Sequence, residues 1–259
     1  MRGVHVRYGF SPRSHEELVF AIDLAHRLSG RLFVWTETDL DARALIKSLG
    51  SPNLAEREHA HVSDRVRMLI GRMEAGLTPR FCNGDPLRAV RDPDSIVIGT
   101  DDAKGRPVAA AIATMGEPAI GARGGGEVCL PFANGESALH AASAAIPIAA
   151  KLGMSLLLYH ATWRDDGLPT DAPPARHMTA EASAVFDGIV ELANGAGVKH
   201  RVIVETATAI AEGTVRTALN EHCALIALAR GRHVGRGSYV DQVLERSVIP
   251  VLVAGRSSL

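Results

Sequence analysis

The sequence predicts an α/β protein made of two tandem, doubly wound and mainly parallel sheets of five strands each. The prediction rests on a repeat, because residues 95–122 and 224–255 share one order of segments: an apolar strand, a glycine-bearing loop, a short helix, and a proline opening a last apolar strand. Pro118 and Pro250 mark the same point in the two copies. Short buried strands that alternate with amphipathic helices favour a parallel sheet, and right-handed crossovers then place helices on both of its faces.

Length and composition agree with two such units in a cytoplasmic protein. The 259 residues suit one large domain or two domains of roughly 100–150 residues. Hydrophobic residues make up 46% of the chain, enough for proper cores. The 28 basic and 29 acidic residues nearly balance, which gives no indication of bulk nucleic-acid or membrane binding. The amino terminus lacks the apolar run of a signal peptide, and no stretch approaches a membrane span.

The first domain is predicted over residues 1–122. Alternating apolar residues at Val4, Val6 and Tyr8 indicate a strand, and the capping box Ser14-x-x-Glu17 indicates the helix that follows it. The later elements predicted are a strand at 31–36, a helix within 62–76, a strand at 78–82, a short helix from 84, a strand at 96–98 and a helix at 108–115.

The second domain is predicted over residues 127–259, after a glycine-rich linker at 122–126. Its first strand, at 128–132, is followed by a helix that contains Pro147. The later elements predicted are strands at 155–160, 198–204, 224–229 and 248–253, and helices within 182–192 and at 207–221. The strand at 155–160 shows almost no alternation, as expected where both faces of a sheet are covered.

Residues 224–253 carry a resemblance to a known family. ALIALARG followed by GSYVDQVLERSVIPVLV resembles the closing segment of the universal stress proteins, which runs strand, glycine loop, Gly-Ser, helix and Pro-Val-Leu-Val strand. Residues 135–160 and 12–37 each resemble the family's first helix and second strand, and residues 82–90 resemble its third-strand exit. The resemblance covers nearly the whole chain as two copies. It implies an adenine nucleotide alpha-hydrolase-like fold in each copy.

The nucleotide-binding members of that family carry two glycines three apart, then, after nine further residues, a glycine followed by serine or threonine. Such a loop exposes backbone amides to phosphate oxygens and ends at a helix amino terminus, which favours anions. In this chain the loop is shorter in both copies, with five residues between Gly99 and Gly105 and seven between Ala229 and Gly237. The aspartate expected after the first strand is replaced in both copies, by Gly9 and Ala133.

Charge distinguishes the two loops. The first copy has aspartates at 101 and 102 where phosphates would lie, whereas the second has Arg230, Arg232, His233 and Arg236. The second domain is therefore the better candidate to bind an anion, and by the resemblance this would be ATP, ADP or AMP. The candidate binding residues are Pro131, Ala161, Ala229, Arg230, Gly231, Gly235, Gly237, Ser238 and Tyr239.

Simpler interpretations compete with each of these assignments. Ser238 before a helix can be a plain N-cap instead of an anion site, and the arginine-rich loop can be a solvated surface. His160 can line the crevice or be structural. His59 and His61 are two apart on a predicted helix, so they face different directions and make a poor metal pair. The cysteines lack an activating partner in the sequence and are predicted to be core residues: Cys82, Cys129 and Cys223.

No catalytic motif is present: the chain has no GxSxG, HExxH, GxxxxGK[ST] or helix-opening GxGxxG sequence. The leading hypothesis is a non-enzymatic, cytoplasmic stress-response or regulatory protein that binds an adenine nucleotide or small anion and signals to an unknown protein partner. The resemblance also implies pairing of the two domains as a pseudo-dimer within the chain and allows a homodimer. Two alternatives stay open: a structural scaffold that has lost its ligand, and a weak nucleotide hydrolase.

Overall fold

The structure is a computed structural model that describes residues 3–9, 12–36, 53–84, 86, 90, 95–99, 110–113, 126–133, 135–163, 178–207, 209–230 and 238–254. The chain divides into two compact units, residues 1–99 and 100–259.

The first unit contains four parallel strands in its described part. Its elements in chain order are β1 (Gly3–Tyr8), α1 (Pro12–Arg27), β2 (Arg31–Thr36), α2 (Asn53–Arg72), β3 (Arg80–Asn83) and β4 (Ile96–Ile98). The strand order is β3-β2-β1-β4, so that the order reverses between β1 and β4. This is the parallel β/α arrangement that the sequence predicts.

Helix α1 packs on β1 through the apolar stripe predicted for it. The stripe is buried throughout: Leu18, Ala21, Ile22, Ala25 and Leu28. The helix begins at Pro12, so Ser14 lies in its first turn. The Ser14 hydroxyl donates to the Gly9 carbonyl at 2.5 Å, which ties the helix start to the end of β1.

The second unit contains five parallel strands and one antiparallel strand. Its elements are β5 (Ala110–Ala113), β6 (Glu127–Pro131), α3 (Glu136–Leu152), β7 (Ser155–Trp163), α4 (Ala180–Gly195), β8 (His200–Ala207), α5 (Ile210–Asn220), β9 (Leu225–Ala229), α6 (Tyr239–Arg246) and β10 (Val251–Ala254). The order is β5-β10-β9-β6-β7-β8. Only β5, among these described strands, runs antiparallel to its neighbour.

Helices cover both faces of this sheet, as the prediction of a doubly wound fold requires. On one face, Cys129, Leu157 and Ile226 are buried in a core with residues of α5 and α6. On the other, the alternate positions Val128 and Leu156 are fully buried, and α3 packs there against β6 and β9. Because side chains alternate between faces, burial of both faces makes the central strands continuously apolar in sequence.

Strand β5 corrects one sequence prediction. The helix predicted at 108–115 is wrong, because Ala110–Ala113 form a strand antiparallel to β10, with Ala113 opposite Val251 and Ala110 opposite Ala254. An alanine-rich run has high helix propensity, but hydrogen bonds to a strand 138 positions later, the separation of Ala113 and Val251, override that local preference.

The same strand bears on the division of the chain. The sequence predicts domains at 1–122 and 127–259, whereas the compact units meet between residues 99 and 100, which places β5 with the second unit. The linker predicted at 122–126 lies outside the described residues except for Gly126. The fifth strand predicted after Pro118 for the first unit also lies outside them, so both features stay predictions.

The cysteines follow the prediction in part. Cys129 and Cys223 are buried in the core of the second unit, but Cys82 is half-buried, which corrects its assignment to the core. A hydrogen bond with Cys223 and burial both raise the pKa of Cys129, so this thiol stays protonated near neutral pH. Among the described helices, none is long and apolar enough to cross a membrane.

An ion-pair cluster joins three elements at the amino edge of the second sheet. The Arg201 guanidinium on β8 donates from Nε to Glu127 Oε1 at 2.9 Å, and its Nη2 lies 2.8 Å from Glu221 Oε2. Ser155 also donates to Glu127, at 3.3 Å. The hydrogen bond from Arg201 is the main cause that lowers the pKa of Glu127, although burial of the carboxyl opposes it.

We expect Arg201→Gln to lower the free energy of unfolding by about 1 kcal/mol near neutral pH, the upper range for a partly exposed ion pair. Because the pKa of Glu127 is lowered in the folded state, this contribution is complete above the ordinary value of 4.5 and is lost as the pH falls below it. Urea unfolding at about pH 7 and about pH 3 measures both effects. The control is Asp64→Asn, which removes an exposed 3.7 Å pair with Arg67 and should change little. Equal losses for Arg201→Gln at both pH values would contradict the prediction.

Candidate functional site

The pairing between β6 and β9 ends before the carboxyl ends of these two strands, at the point where an open α/β sheet is expected to form a crevice. They pair at Val128 with Leu225 and at Cys129 with Ile226, but no pairing follows between these two described strands, although they continue to Pro131 and Ala229. Strand order reverses between them, and ligands of open α/β sheets bind at such a point, outside the carboxyl ends of the strands.

Each side of the crevice stays bonded to its outer neighbour. Beyond β6, the Phe132 amide donates to the Tyr159 carbonyl of β7 at 2.9 Å, which draws the chain toward β7. Strand β9 remains paired with β10 up to Ala229 and Ala254. Pro131 and Ala229, both predicted site residues, therefore end the two strands that border the crevice.

Helix α6 begins at this edge with the N-cap that the sequence predicts. Ser238 has extended backbone angles of φ −57° and ψ 156°, and its hydroxyl oxygen accepts a hydrogen bond from the Asp241 amide at 3.3 Å. The serine thereby satisfies one of the amides that a helix start leaves without an intrahelical partner. Whether Ser238 also contacts an anion stays a prediction.

Arg230, expected to attract an anion, lies beside an acidic side chain. Its Nη1 is 3.9 Å from Asp241 Oδ1, and the two side chains are only 10% and 14% exposed. The separation is too long for a hydrogen bond, and Asp241 Oδ1 is buried without any hydrogen-bond partner. Burial lowers the pKa of Arg230, and the negative charge of Asp241 opposes that shift. Asp241 therefore offsets the positive charge of Arg230, which is one of the four basic residues on which the anion prediction depends.

Tyr239, another predicted site residue, is bonded toward the protein interior. Its hydroxyl lies 2.7 Å from Thr214 Oγ1 on α5, and Thr214 donates its own proton to the Ile210 carbonyl at 2.9 Å. The tyrosine must then be the donor to Thr214. Burial raises the pKa of Tyr239, so the phenol remains protonated in this bond. The bond anchors the start of α6 to α5.

Ala161 lies within β7, because that strand extends three residues past its predicted end at His160. It is paired with Glu205 on β8. Two residues earlier on the same face, the Tyr159 hydroxyl donates to Glu205 Oε1 at 2.5 Å, and Arg216 Nη2 donates to the same oxygen at 3.0 Å. Ala161 therefore borders a closed polar cluster on the α5 side of the sheet.

His160 has the structural role that the sequence left open as one of two. The residue is 5% exposed, its Nδ1 donates to the Phe132 carbonyl at 2.9 Å, and its ring stacks on the Phe132 ring. No group of three potential metal ligands occurs among the residues that the structure describes. His61 is exposed on α2, and the side chain of His59 lies outside the described residues.

The remaining predicted residues, Gly231, Gly235 and Gly237, lie outside the described part of the chain, as do the basic residues 232, 233 and 236 and the acidic pair 101–102. Asp241, Thr214 and Glu205 are not among the residues that the sequence predicts for the site. A signal existed for Asp241, since Ser238-x-x-Asp241 has capping-box spacing with an acid at the third helical position. The sequence carries no such signal for Thr214 or Glu205, because their partners, Tyr239 and Tyr159, are distant in sequence.

Comparisons with known proteins agree with the fold. No known family profile matches the chain, and no curated protein matches it. The chain is similar to the solved structure of a universal stress protein from Archaeoglobus fulgidus DSM 4304, with 16% identity, 99% of this chain and 97% of that chain covered, and a TM-score of 0.67.

Two structures from Pseudomonas aeruginosa also match over nearly the full length. A functionally unknown protein from strain PAO1 has 13% identity, coverage of 98% and 92%, and a TM-score of 0.56. A putative universal stress protein from strain UCBPP-PA14 has 14% identity, coverage of 98% and 93%, and a TM-score of 0.54. At these identities the likeness shows the fold, and the chain has the universal stress protein fold in two tandem units.

Proposed function

We propose that this protein is a non-enzymatic regulatory protein that binds an adenine nucleotide or a similar small anion through its second unit. The observation that carries the proposal is that pairing between β6 and β9 ends early at the point where the strand order reverses. The amino end of α6 and Arg230 lie at the same edge. Backbone amides of a helix start and a guanidinium are the groups that phosphate oxygens prefer.

Regulation would follow from a difference in affinity between two conformations. A ligand that binds one conformation better shifts the population toward it and changes the surface that a protein partner meets. The start of α6 is the element best placed to respond, because Ser238 and Arg230 both contact Asp241 there.

A structural scaffold that binds no ligand is the second candidate, and specific contacts favour it. Ser238 is already used as a cap, Tyr239 is bonded to Thr214, and Arg230 is offset by Asp241. Mass spectrometry of small molecules released from the denatured purified protein separates the two candidates without assuming a ligand. Titration calorimetry with adenosine, AMP, ADP and ATP extends the comparison, and no binding of any of them at millimolar concentration would favour the scaffold.

We expect Arg230→Gln to weaken binding of AMP, ADP or ATP by about tenfold, because the substitution leaves Asp241 as an uncompensated negative charge beside the ligand. Calorimetry or ligand-detected NMR measures the change. The control, Arg31→Gln, removes an exposed arginine of the first unit and should leave affinity unchanged. Equal effects of the two substitutions would contradict a site at Arg230. Steady phosphate release from ATP that disappears in Arg230→Gln would instead support the hydrolase.

A further inference from the structure

The Arg230–Asp241 pair at the start of α6 contains a buried carboxylate oxygen without a hydrogen-bond partner. Both side chains are nearly covered, yet Nη1 and Oδ1 are 3.9 Å apart, and Oδ1 is buried without a hydrogen-bond partner. The Arg201–Glu221 pair of the same unit is more exposed and closes to 2.8 Å. A buried carboxylate oxygen normally accepts hydrogen bonds, so an orphaned one beside a candidate site needs an explanation.

The position of the Asp241 carboxylate determines how its charge affects the binding of an anion. Asp241 lies in the first turn of α6, where the helix amino end favours negative charge. An anion approaching the same amides and Arg230 must compete with a negative charge that is already in place. One positive and one negative charge give this pair no net charge to offset a triphosphate.

We propose that Asp241 is a specificity-determining residue that makes the second unit select weakly charged adenine ligands, a nucleoside or a monophosphate, over a triphosphate. The inference rests on the proposed function and adds the charge class of its ligand. Each further phosphate brings more negative charge near a carboxylate that is poorly screened by water because it is covered. Adenosine carries no charge and meets no such repulsion, so its affinity should not depend on residue 241.

The test compares affinities for ATP and adenosine in the full-length protein and its variants by calorimetry. Asp241→Asn keeps the shape of the side chain and removes its charge, and we expect the affinity for ATP relative to adenosine to rise about tenfold. Asp241→Ser is a second neutral variant, with an oxygen that suits a helix start, and should act in the same direction. Asp241→Glu retains the charge and should keep the wild-type ratio. Asp187→Asn, at an exposed position on α4, controls for the loss of one negative charge elsewhere.

The ratio of the affinities for ATP and adenosine separates a charge effect from a structural one. General damage to α6 would lower the affinity for both ligands and leave their ratio unchanged. A ratio that rises in both neutral variants and stays constant in Asp241→Glu and Asp187→Asn would support the inference. The same ratio in every variant, with measurable binding, would overturn the inference and leave the proposed function standing. Failure of the wild type and all variants to bind either ligand would overturn both.

Discussion

Gly213→Ala is expected to destabilise the second unit by about 2 kcal/mol, the net of an overpacking cost of about 1–3 kcal/mol and a small gain in helix propensity. A methyl group at this position of α5 would lie 2.5 Å from the Tyr159 hydroxyl oxygen, 3.1 Å from Glu205 Oε1 and 3.3 Å from Ala207 Cβ. Tyr159 cannot simply move aside, because it is fully buried and its hydroxyl donates to Glu205. Glycine is therefore needed here for a close approach of α5 to the sheet.

Chemical unfolding of two matched variants tests this explanation. Gly195→Ala, at the end of α4, places its methyl group in open space and should be neutral or slightly stabilising. Tyr159→Phe removes the obstructing oxygen, so that Gly213→Ala should cost less in that background than in the wild type. Equal costs in both backgrounds would show that the hydroxyl is not the cause.

Thr214→Val is expected to lower the free energy of unfolding by about 2 kcal/mol, within the range for a buried polar group left without its partner. Valine has nearly the shape of threonine, so the substitution removes mainly the hydroxyl. That hydroxyl is the acceptor for Tyr239 at 2.7 Å, and the Thr214 side chain is fully buried. The tyrosine proton would then lie in the core without an acceptor.

A double-mutant cycle with Tyr239→Phe measures the coupling of the pair. Replacing both partners by apolar groups of similar shape can be nearly neutral, so the double variant should be more stable than the sum of the single losses indicates. Strictly additive losses would contradict a direct bond. Because this bond anchors the start of α6, Thr214→Val should also lower the affinity for any ligand that contacts Ser238.

Local sequence patterns predicted most of the fold. The strands at 31–36 and 96–98 have their predicted bounds, and α1 buries its predicted stripe, because the spacing of apolar residues directly reflects which side of an element is covered. Strand β5 was missed for the opposite reason: nothing within Ala110–Ala113 indicates pairing with β10. Long-range backbone hydrogen bonds decide its conformation, and a propensity-based prediction does not include them.

The ends of the strands at the candidate site could be predicted from the sequence, whereas the charged neighbour of Arg230 could not. Pro131 and Ala229 lie at the ends of the strands that border the crevice, as the order of strands and helices implied. The sequence predicts that Arg230 attracts an anion, because its sequence neighbours are basic. Its structural neighbour is Asp241, eleven residues later, and only the folded chain shows how close the two side chains lie.

Strand β5 also determines where an expressed fragment of the second unit should begin. A fragment that starts at residue 127 would lack this strand and would leave the outer backbone amides and carbonyls of β10 without partners. An exposed edge strand of this kind can pair with strands of other chains, which promotes aggregation. Expression of the carboxyl-terminal half should therefore begin near residue 100, where its own sequence supplies the covering strand.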